Sequence, residues 1–381
     1  MKKIRVLHIS TAHPAHDPRV VFKQCQTLAE TYDVFCALPH ADPSVAPAIH
    51  FIWLPCYRRV FWRVLITCPF VLLRCLWLRP QLVHVYMPEF IPFAYVFKLA
   101  GAKVIYEVQE NLHKKIHLKD VNNGCFLRSA FRWFDQLARK HFYFIFTEHG
   151  YLSTYSQLTR AHSVIYNYPH LPFLVPFVTP YSPNRQVPLL FHIGLLSFDR
   201  AIDTLIDSLA CLQITHPRFI VHLFGRCTFT TDKLEKLPNY NLVRDQLRFY
   251  GYTDQRTAFP YAAGATAGLA LLKPVGDYPE SYTTKLFEYM ALGLPVITSD
   301  FPLYRAIVDR HRCGVCVSPY DPVQVADALA YLIDNPDEAR LMGQRGQQAV
   351  EQFYNWTSEA RKLIHFYEQV LGVNKKTVQR L

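Results

Sequence analysis

The sequence predicts an α/β protein built from two doubly wound parallel sheets, each in a domain of its own. Short apolar runs rich in β-branched residues alternate with helical patterns in both halves of the chain. A proline-rich segment at residues 169–187 separates the halves. The chain has 381 residues, half of them apolar, so each half can bury a core. We predict domains at 1–168 and 188–357, a stiff, extended linker at 169–187, and a C-terminal helix and tail at 358–381.

The first strand of the N-terminal domain is predicted at residues 4–10, a continuous apolar run. A helix follows, with Asp17 as its N-cap and Pro18 as its first residue. The turn between them contains no glycine, so it lacks the GxGxxG motif and argues against a hydride-transfer enzyme. His13 and His16 stand near Asp17 at a spacing that fits no familiar metal site. Further strands are predicted at residues 33–38, 50–54, 82–86, 103–108 and 143–147.

Two polar segments follow strands of this domain, HVYMPE at residues 84–89 and YEVQE at 106–110. In a parallel sheet the carboxyl ends of the strands share one edge, and ligands of α/β proteins bind there. We therefore expect both segments at the ligand-binding edge of the first domain.

The second domain is predicted to begin with a strand at residues 189–193. Further strands are predicted at 219–224 and 247–250, and residues 268–272 lead into the segment described next. The glycines that follow the first three of these runs are Gly194, Gly225 and Gly251.

The segment that is most informative about function is residues 279–299, PESYTTKLFEYMALGLPVITS. Hydroxyl side chains at its start can cap a helix from about Thr283 to Leu292. Gly293 then ends the helix in the left-handed conformation, before a β-branched strand at 296–298.

This loop and helix bring together groups that suit a nucleotide sugar. Glu280 lies before the helix, whose free N–H groups and dipole attract phosphate. Lys285 and Glu288 lie three residues apart and are neighbours on the helix surface. Carboxylates can accept the hydroxyls of a sugar and a ribose, while Lys285 and backbone amides balance a diphosphate. The alternative is a solvated helix on which Glu and Lys merely pair.

The longer string at residues 279–308, PESYTTKLFEYMALGLPVITSDFPLYRAIV, resembles the sugar-nucleotide site of the family 4 glycosyltransferases. The resemblance extends to Cys313 and Gly314 and to SPYDP at 318–322. Members of this family are retaining enzymes of the GT-B fold, in which two Rossmann-like domains face a central cleft. The donor contacts that the resemblance implies are Glu280 to the sugar, Glu288 to the ribose, and the amides of Thr283 and Thr284 to phosphate.

Three further segments resemble the same family. The loop from Gly194 to Arg200 resembles its phosphate-side loop, with Leu195 where relatives often have Arg and with Arg200 in place of a Lys. Gly251-Tyr252-Thr253 resembles the turn that lines the nucleotide base. In the first domain Gln109 stands where relatives commonly have a histidine thought to assist catalysis, and glutamine cannot accept a proton near neutral pH. The implied catalytic residues are Glu280, Arg200, Lys285 and Gln109, and the implied donor-binding residues are Glu288, Thr283, Thr284, Gly194, Gly251 and Tyr252.

The resemblance implies a retaining glycosyltransferase that moves a hexosyl group from a nucleotide-diphosphate sugar to a glycan or lipid-linked acceptor in cell-surface polysaccharide synthesis. The donor is expected on the second domain and the acceptor on the first, with the last helix crossing back onto the first. No metal is expected, because the family normally dispenses with one and no Asp-x-Asp pair is present. The alternative is a catalytically weak GT-B protein that binds the sugar nucleotide, motivated by Gln109, Leu195 and the Tyr86-Met87 pair, where relatives have His-Asp.

Positive charge is concentrated in residues 1–170, with 20 Lys and Arg against ten Asp and Glu, compared with 21 against 20 in the rest. This bias favours an anionic partner, but no stacking motif or basic reading helix indicates nucleic acid.

Residues 57–80 mix arginines with tryptophans, and the ten residues between Arg63 and Arg74 are too few to span a bilayer. We predict an interfacial helix on an anionic membrane; the alternative is an ordinary helix on the sheet with snorkelling arginines.

Ten scattered cysteines and the absence of a recognisable secretory leader favour a reducing, cytoplasmic compartment. Cys313 and Cys316 have CxxC spacing, but no second pair or histidine cluster follows. We interpret them as a buried β-turn pair, with redox or metal chemistry as the alternative. The expected location is the cytoplasm, peripheral on the membrane.

Overall fold

In the computed structural model the chain is described at residues 3–115, 125–178 and 187–373. It forms two compact units, which divide between Asn167 and Tyr168 and again between Asn355 and Trp356. The first unit therefore contains the N-terminal part of the chain together with the last helix, and the second unit contains the residues between.

Seven parallel strands form the sheet of the first unit, in the order β3-β2-β1-β4-β5-β6-β7. The strands are β1 (Arg5–Ile9), β2 (Asp33–Pro39), β3 (His50–Leu54), β4 (Leu82–Val85), β5 (Lys103–Val108), β6 (Tyr143–Phe146) and β7 (His162–Val164). The α-helices are α1 (Gln26–Ala29), α2 (Val60–Trp62), α3 (Cys68–Cys75), α4 (Ile91–Leu99), α5 (Leu112–Lys115), α6 (Cys125–His141) and, at the end of the chain, α16 (Trp356–Leu371). Segments with π turns lead into α1 and α3, at Pro18–Cys25 and Arg63–Thr67, and 3-10 turns form at Pro43–Val45, Leu76–Leu78, Pro88–Phe90 and His149–Ser153.

Six parallel strands form the second sheet, in the order β10-β9-β8-β11-β12-β13. The strands are β8 (Leu189–Ile193), β9 (Ile220–Phe224), β10 (Leu247–Gly251), β11 (Ala267–Ala270), β12 (Val296–Ser299) and β13 (Gly314–Val317). The helices are α7 (Leu171–Leu174), α8 (Ile202–Thr215), α9 (Thr231–Glu235), α10 (Tyr240–Val243), α11 (Gln255–Ala258), α12 (Thr284–Ala291), α13 (Pro302–His311), α14 (Pro322–Asp334) and α15 (Pro336–Gln352). Its 3-10 turns are Val175–Phe177, Phe198–Arg200, Arg244–Gln246, Phe259–Ala262 and Tyr278–Glu280.

The predicted fold class is confirmed, since both sheets are parallel and doubly wound. Every predicted strand forms within two residues of its predicted ends. The prediction missed two edge strands, β7 and β13, of three and four residues. In both units the strand order reverses beside the first strand, at β1/β4 and at β8/β11, which is where α/β sheets bind ligands.

The prediction of an extended linker at 169–187 is wrong for its first part. Residues Leu171–Leu174 and Val175–Phe177 form helical turns. Proline in the first turn of each segment removes an N–H group that has no helical partner there. The rings of Phe173 and Phe177 pack on Phe259, with centroids 6.3 and 5.7 Å away, which anchors these turns to the second unit. The rest of the predicted linker, at 179–186, and the predicted tail, at 374–381, lie outside the described residues.

The two cysteines with CxxC spacing do not form a β-turn. Cys316 lies in β13 and Cys313 immediately precedes this strand. Burial raises the pKa of each thiol to about 12, so both are protonated at neutral pH and are poor nucleophiles. This places them in the packing of the second unit.

The two faces of the first sheet bury separate cores. Leu7 and Ile9 of β1 pack with α3, α4 and α6, whereas Val6 packs with the helix that starts at Pro18 and with α16. The alternation follows from the period of two along a strand. The helices on the side of Leu7 and Ile9 therefore present their opposite sides outward.

A buried ion cluster lies within the core of the first unit, on β5. Glu107 is fully buried, and Arg19 Nε donates to its Oε1 at 2.8 Å. Gln24 also donates to Glu107, and His84 Nε2 lies 3.3 Å from its other oxygen. Burial alone would raise the pKa of Glu107, but the charge of Arg19 holds it well below its ordinary value. Burial lowers the pKa of His84, so Arg19 is the cation that Glu107 faces at neutral pH.

Glu107→Gln is expected to destabilise the protein by about 3–5 kcal/mol at neutral pH, because Arg19 would remain buried without its anion. The lowered pKa stabilises the wild type above the ordinary carboxyl pKa, and this stability is lost as the pH falls towards the folded-state value. Urea unfolding from neutral to acid pH should show this loss in the wild type and a flatter profile in the variant. Glu30→Gln, an exposed change, is the control. Equal stability of Glu107→Gln and wild type at neutral pH would contradict the interpretation.

Candidate functional site

The start of α12 is open to an anion. Thr283 has the backbone conformation of an N-cap, but its side chain makes no capping hydrogen bond. The first amides of the helix, including that of Thr284, have no partner within the helix and lie at its positive end. The loop before them is held in place, because Tyr304 Oη donates to the Ser281 carbonyl at 2.9 Å and Ser281 Oγ donates to the Asp277 carbonyl at 3.0 Å.

Lys285 brings a buried amino group to the end of β8. Its side chain is 4% exposed, and a Cβ on Gly194 would lie 2.4 Å from Lys285 Cε and 3.2 Å from Nζ. Among the described residues, none accepts a hydrogen bond from Nζ. Burial, and then the charge of Arg200, lower the pKa of Lys285 well below its ordinary value. An anionic ligand at Nζ would offset this cost of burying the cation.

A second cation, Arg200, lies close enough to affect Lys285. It ends the 3-10 turn after β8, where Ser197 Oγ accepts from the Arg200 amide at 3.2 Å, and its Cζ lies 5.8 Å from the ring centroid of Tyr278. His192 of β8 is buried and donates from Nδ1 to the Leu269 carbonyl at 3.0 Å. Burial, and then Lys285, lower the pKa of His192, so it is neutral at pH 7. Lys285 and Arg200 thus bring two basic side chains to this strand end.

A row of three glycines ends the adjacent strands β8, β9 and β10. Gly194, Gly225 and Gly251 have φ of 136°, 140° and 67°, which other residues adopt only with strain. The Gly194 amide donates to the Phe224 carbonyl at 2.8 Å, and the Gly225 amide donates to the Gly251 carbonyl at 2.7 Å. A Cβ on Gly225 would lie 1.8 Å from the Gly194 carbonyl oxygen. Bare backbone therefore forms this sheet edge beside Lys285.

The two predicted carboxylates lie at either side of Lys285 along the chain. Glu280 is half-buried in the turn that precedes α12, and Glu288 is half-buried one helical turn after Lys285. Gln255 Nε2 donates to Glu288 Oε1 at 3.1 Å. Gln255 begins α11, three residues after the exposed ring of Tyr252, so this bond ties Glu288 to the loop that contains Gly251 and Tyr252.

Nine of the ten predicted site residues lie in the second unit, and the tenth, Gln109, lies in the first. Gln109 follows β5, and its Nε2 donates to Glu107 Oε1 at 2.9 Å. This bond directs the amide nitrogen to the buried ion cluster and leaves the amide oxygen to accept from another group. The roles of all ten residues stay predictions.

The prediction missed two residues that shape the site. Tyr289 Oη accepts from the Ile193 amide at 3.0 Å and donates to the Leu269 carbonyl at 3.3 Å, which joins α12 to β8 and β11. Gly268 permits this packing, since a Cβ there would lie 2.4 Å from the Tyr289 ring. The second missed residue is His192. As a polar residue in an apolar run it gave a usable signal in the sequence, whereas Tyr289 is one more aromatic residue on an apolar helix face.

Within the described part of the chain, no group of three or more His, Cys, Asp or Glu side chains is arranged to hold a metal ion. His13 Nδ1 lies 2.7 Å from Ser10 Oγ, and the Asp17 side chain caps the helix that starts at Pro18, as predicted.

Part of the chain matches a known protein family. Residues 180–349 match the family described as glycosyl transferases group 1. A stretch of 185 residues, 49% of this chain, is 22% identical to glycogen synthase of Mycobacterium tuberculosis and covers 43% of that protein. The chain thus spans less than half the length of this relative.

Two solved structures resemble almost the whole chain. Sucrose-phosphate synthase from Thermosynechococcus elongatus has a TM-score of 0.74 at 18% identity and covers 97% of this chain and 100% of its own. Anabaena HepE in complex with UDP-glucose has a TM-score of 0.70 at 14% identity and covers 96% of this chain and 100% of its own. At these identities the likeness shows the fold, which is GT-B. The match to glycosyl transferases group 1 thus lies within residues 180–349, most of which belong to the second unit.

Proposed function

We propose that the protein is a retaining glycosyltransferase that moves a hexosyl group from a nucleotide-diphosphate sugar to a glycan or lipid-linked acceptor in cell-surface polysaccharide synthesis. The observation that carries the proposal is the pair of cations, Lys285 and Arg200, beside the open start of α12 and the glycine row. The match to glycosyl transferases group 1 supports the reaction class, and UDP-glucose in HepE supports a nucleotide-sugar donor.

In the proposed reaction the bond between the anomeric carbon and the diphosphate oxygen breaks, and negative charge grows on the leaving diphosphate. Lys285, Arg200 and the amides of Thr283 and Thr284 would stabilise that charge. The acceptor hydroxyl would attack the anomeric carbon on the same face and pass its proton to the departing phosphate oxygen. This route requires no protein base, so glutamine at position 109 is compatible with it.

The carboxylates would fix the donor in place. Glu280 would accept hydroxyls of the transferred sugar, and Glu288 would accept those of the ribose, with Tyr252 and Gly251 beside the base. The bond from Gln255 to Glu288 supports this arrangement, because it holds the carboxylate next to the loop after β10. Gln109 would bind a sugar hydroxyl through its amide oxygen.

We propose that the reaction needs no metal, because two cations and a helix start can balance a diphosphate. We also propose a cytoplasmic location. The nine cysteines whose side chains are described are free thiols, which suits a reducing compartment.

A second candidate is a protein that binds the sugar nucleotide but transfers its sugar weakly or not at all. The observation that favours it is the state of Gln109, which offers no titratable group and donates its amide hydrogen to Glu107. Donor binding without transfer or hydrolysis in a broad acceptor screen would select this candidate over the first.

A thermal-shift panel of UDP, GDP, ADP, TDP and CMP sugars tests the proposal, beginning with UDP-glucose. At 100 times its Kd a donor should stabilise the wild type by about 2.7 kcal/mol. Glu288→Ala should weaken binding about tenfold or more, because a charge-assisted hydrogen bond to the ribose is lost. Glu351→Ala, an exposed change in α15, should behave like the wild type. If none of the panel stabilises the wild type, the proposed donor site is wrong.

A further inference from the structure

Four of the five tryptophans in the chain are exposed on the first unit. The exposed fractions are 54% for Trp53, 44% for Trp62, 86% for Trp77 and 58% for Trp133, whereas Trp356 is 3% exposed. Tryptophan is usually well buried in folded proteins, but it is enriched where a protein meets the interface of a bilayer. This distribution indicates that part of the surface of the first unit binds a partner.

Three of the four side chains lie on one side of the first sheet, and the fourth, Trp53 on the edge strand β3, contacts a helix of that side. Val60–Leu78 is one continuous helix, and together with α4 and α6 it covers the core that contains Leu7 and Ile9. Trp62 and Trp77 lie on this helix and Trp133 lies on α6. Trp53 of β3 packs edge-on against Phe70 of the same helix, with centroids 6.2 Å apart. We call the outward side of these helices, together with Trp53, the outer face; its other exposed apolar residues are Phe61, Leu65, Ile66, Leu73, Val96 and Leu99.

The outer face is continuous across its helices. The helix Val60–Leu78 and α4 both run from the carboxyl end of one strand to the amino end of the next, so they are parallel neighbours. Trp77 and Leu99 lie near their C-terminal ends, and each is 86% exposed. Two large apolar side chains therefore project at the same edge of the unit. A patch of this kind marks an interaction site.

The exposed charged side chains around the outer face are positive. From residue 43 to residue 106 the sequence has a single acidic residue, Glu89, and seven Lys and Arg residues. Glu89 is nearly buried and forms an ion pair with Arg63 at 3.2 Å. Arg63 therefore adds no uncompensated charge to the outer face. The exposed cations that remain are Arg58, Arg59, Arg74, Arg79 and Lys103.

We propose that the outer face binds the surface of an anionic lipid bilayer, with the helix Val60–Leu78 lying in the plane of the interface. Tryptophans and leucines would enter the headgroup region, and the exposed arginines would contact lipid phosphates. The inference is independent of the donor site, because the donor residues of the second unit contribute nothing to it.

By length and composition the helix Val60–Leu78 could cross a membrane, contrary to the expectation drawn from the ten residues between Arg63 and Arg74. Its packing favours the interfacial position. Cys68, Val71 and Cys75 are fully buried against the sheet, and Thr67 Oγ1 donates to the Pro55 carbonyl at 3.0 Å. Crossing the bilayer would require these contacts to break.

Flotation of the full chain with vesicles tests the proposal, using phosphatidylcholine alone and phosphatidylcholine mixed with phosphatidylglycerol, at low and high salt. Tryptophan emission should shift to the blue on the anionic vesicles and should be quenched by acyl-brominated lipids. The apolar variant Trp62→Gln/Leu73→Gln/Trp77→Gln and the charge variant Arg58→Glu/Arg59→Glu/Arg74→Glu should each bind roughly tenfold more weakly or worse. Ile214→Gln/Leu242→Gln, on exposed apolar residues of the second unit, is the matched control.

All the substituted side chains are exposed, so thermal unfolding and the donor-induced shift should be unchanged in every variant. Salt-sensitive binding to anionic vesicles that both test variants lose and the control keeps supports the proposal. It is overturned by absent vesicle binding, by an equal loss in the control, or by salt-resistant binding to neutral vesicles that survives carbonate extraction. The last outcome would indicate a spanning helix.

Discussion

Replacing Lys285 with methionine should weaken donor binding by about 100-fold and at the same time stabilise the free protein. The loss of affinity follows because the diphosphate would lose the buried cation at the end of β8. The gain in stability follows because Lys285 is buried and its pKa is lowered, so its charged form destabilises the folded state at neutral pH. Removing this penalty should raise the Tm, by roughly 2–4 °C for each 1 kcal/mol of stability gained.

Calorimetric titration with the donor, together with thermal unfolding, measures both effects. In the wild type, affinity should fall as the pH rises through the lowered pKa of Lys285, because deprotonation removes the cation. Lys285→Met should show no such dependence. Lys233→Met, an exposed lysine of the same unit, should change neither quantity. A variant that binds donor as tightly as the wild type, or that unfolds at a lower temperature, would contradict the role given to Lys285.

Replacing Gly225 with alanine should destabilise the second unit by about 3–6 kcal/mol, the largest stability effect that we expect. The added Cβ would lie 1.8 Å from the Gly194 carbonyl oxygen, and the backbone at φ 140° is strained for any residue with a side chain. The end of β8 or β9 must move to relieve the contact. Because Lys285 packs on Gly194, donor binding should be lost as well.

Gly251→Ala is a control without steric contact, since Gly251 has the left-handed φ of 67° and a Cβ there would meet nothing within 4 Å. It should cost only about 1 kcal/mol. Thermal unfolding of both variants compares position 225 with a left-handed glycine that has no close contact. Equal destabilisation by the two substitutions would show that the contact between β8 and β9 is not what requires glycine at position 225.

Most of the fold could be predicted because parallel strands buried on both faces are apolar runs that the sequence shows directly. The short edge strands β7 and β13 could not be predicted, since three or four residues carry too little pattern and their pairing depends on a neighbouring strand. The turns at Leu171–Leu174 and Val175–Phe177 were misread for a different reason. Proline favours both an extended chain and a first helical turn, and packing on Phe259 decides between them.

In the candidate site, too, some features could be predicted from the sequence and others could not. A motif string identified Lys285, Glu280 and Glu288, because their spacing along one loop and helix is local. The inward position of Arg63 and the bond from Gln255 to Glu288 depend on contacts between distant segments. Such contacts follow from the tertiary arrangement alone, so the sequence carries no local signal for them.

A crystal structure of the full chain with UDP-glucose, or with the donor that the panel selects, would test the account most directly. We expect the diphosphate within hydrogen-bond distance of Lys285 Nζ and of the amides that begin α12, with the ribose at Glu288 and the sugar at Glu280. A donor bound elsewhere in the chain, or a diphosphate that leaves Lys285 Nζ without contact, would contradict the account.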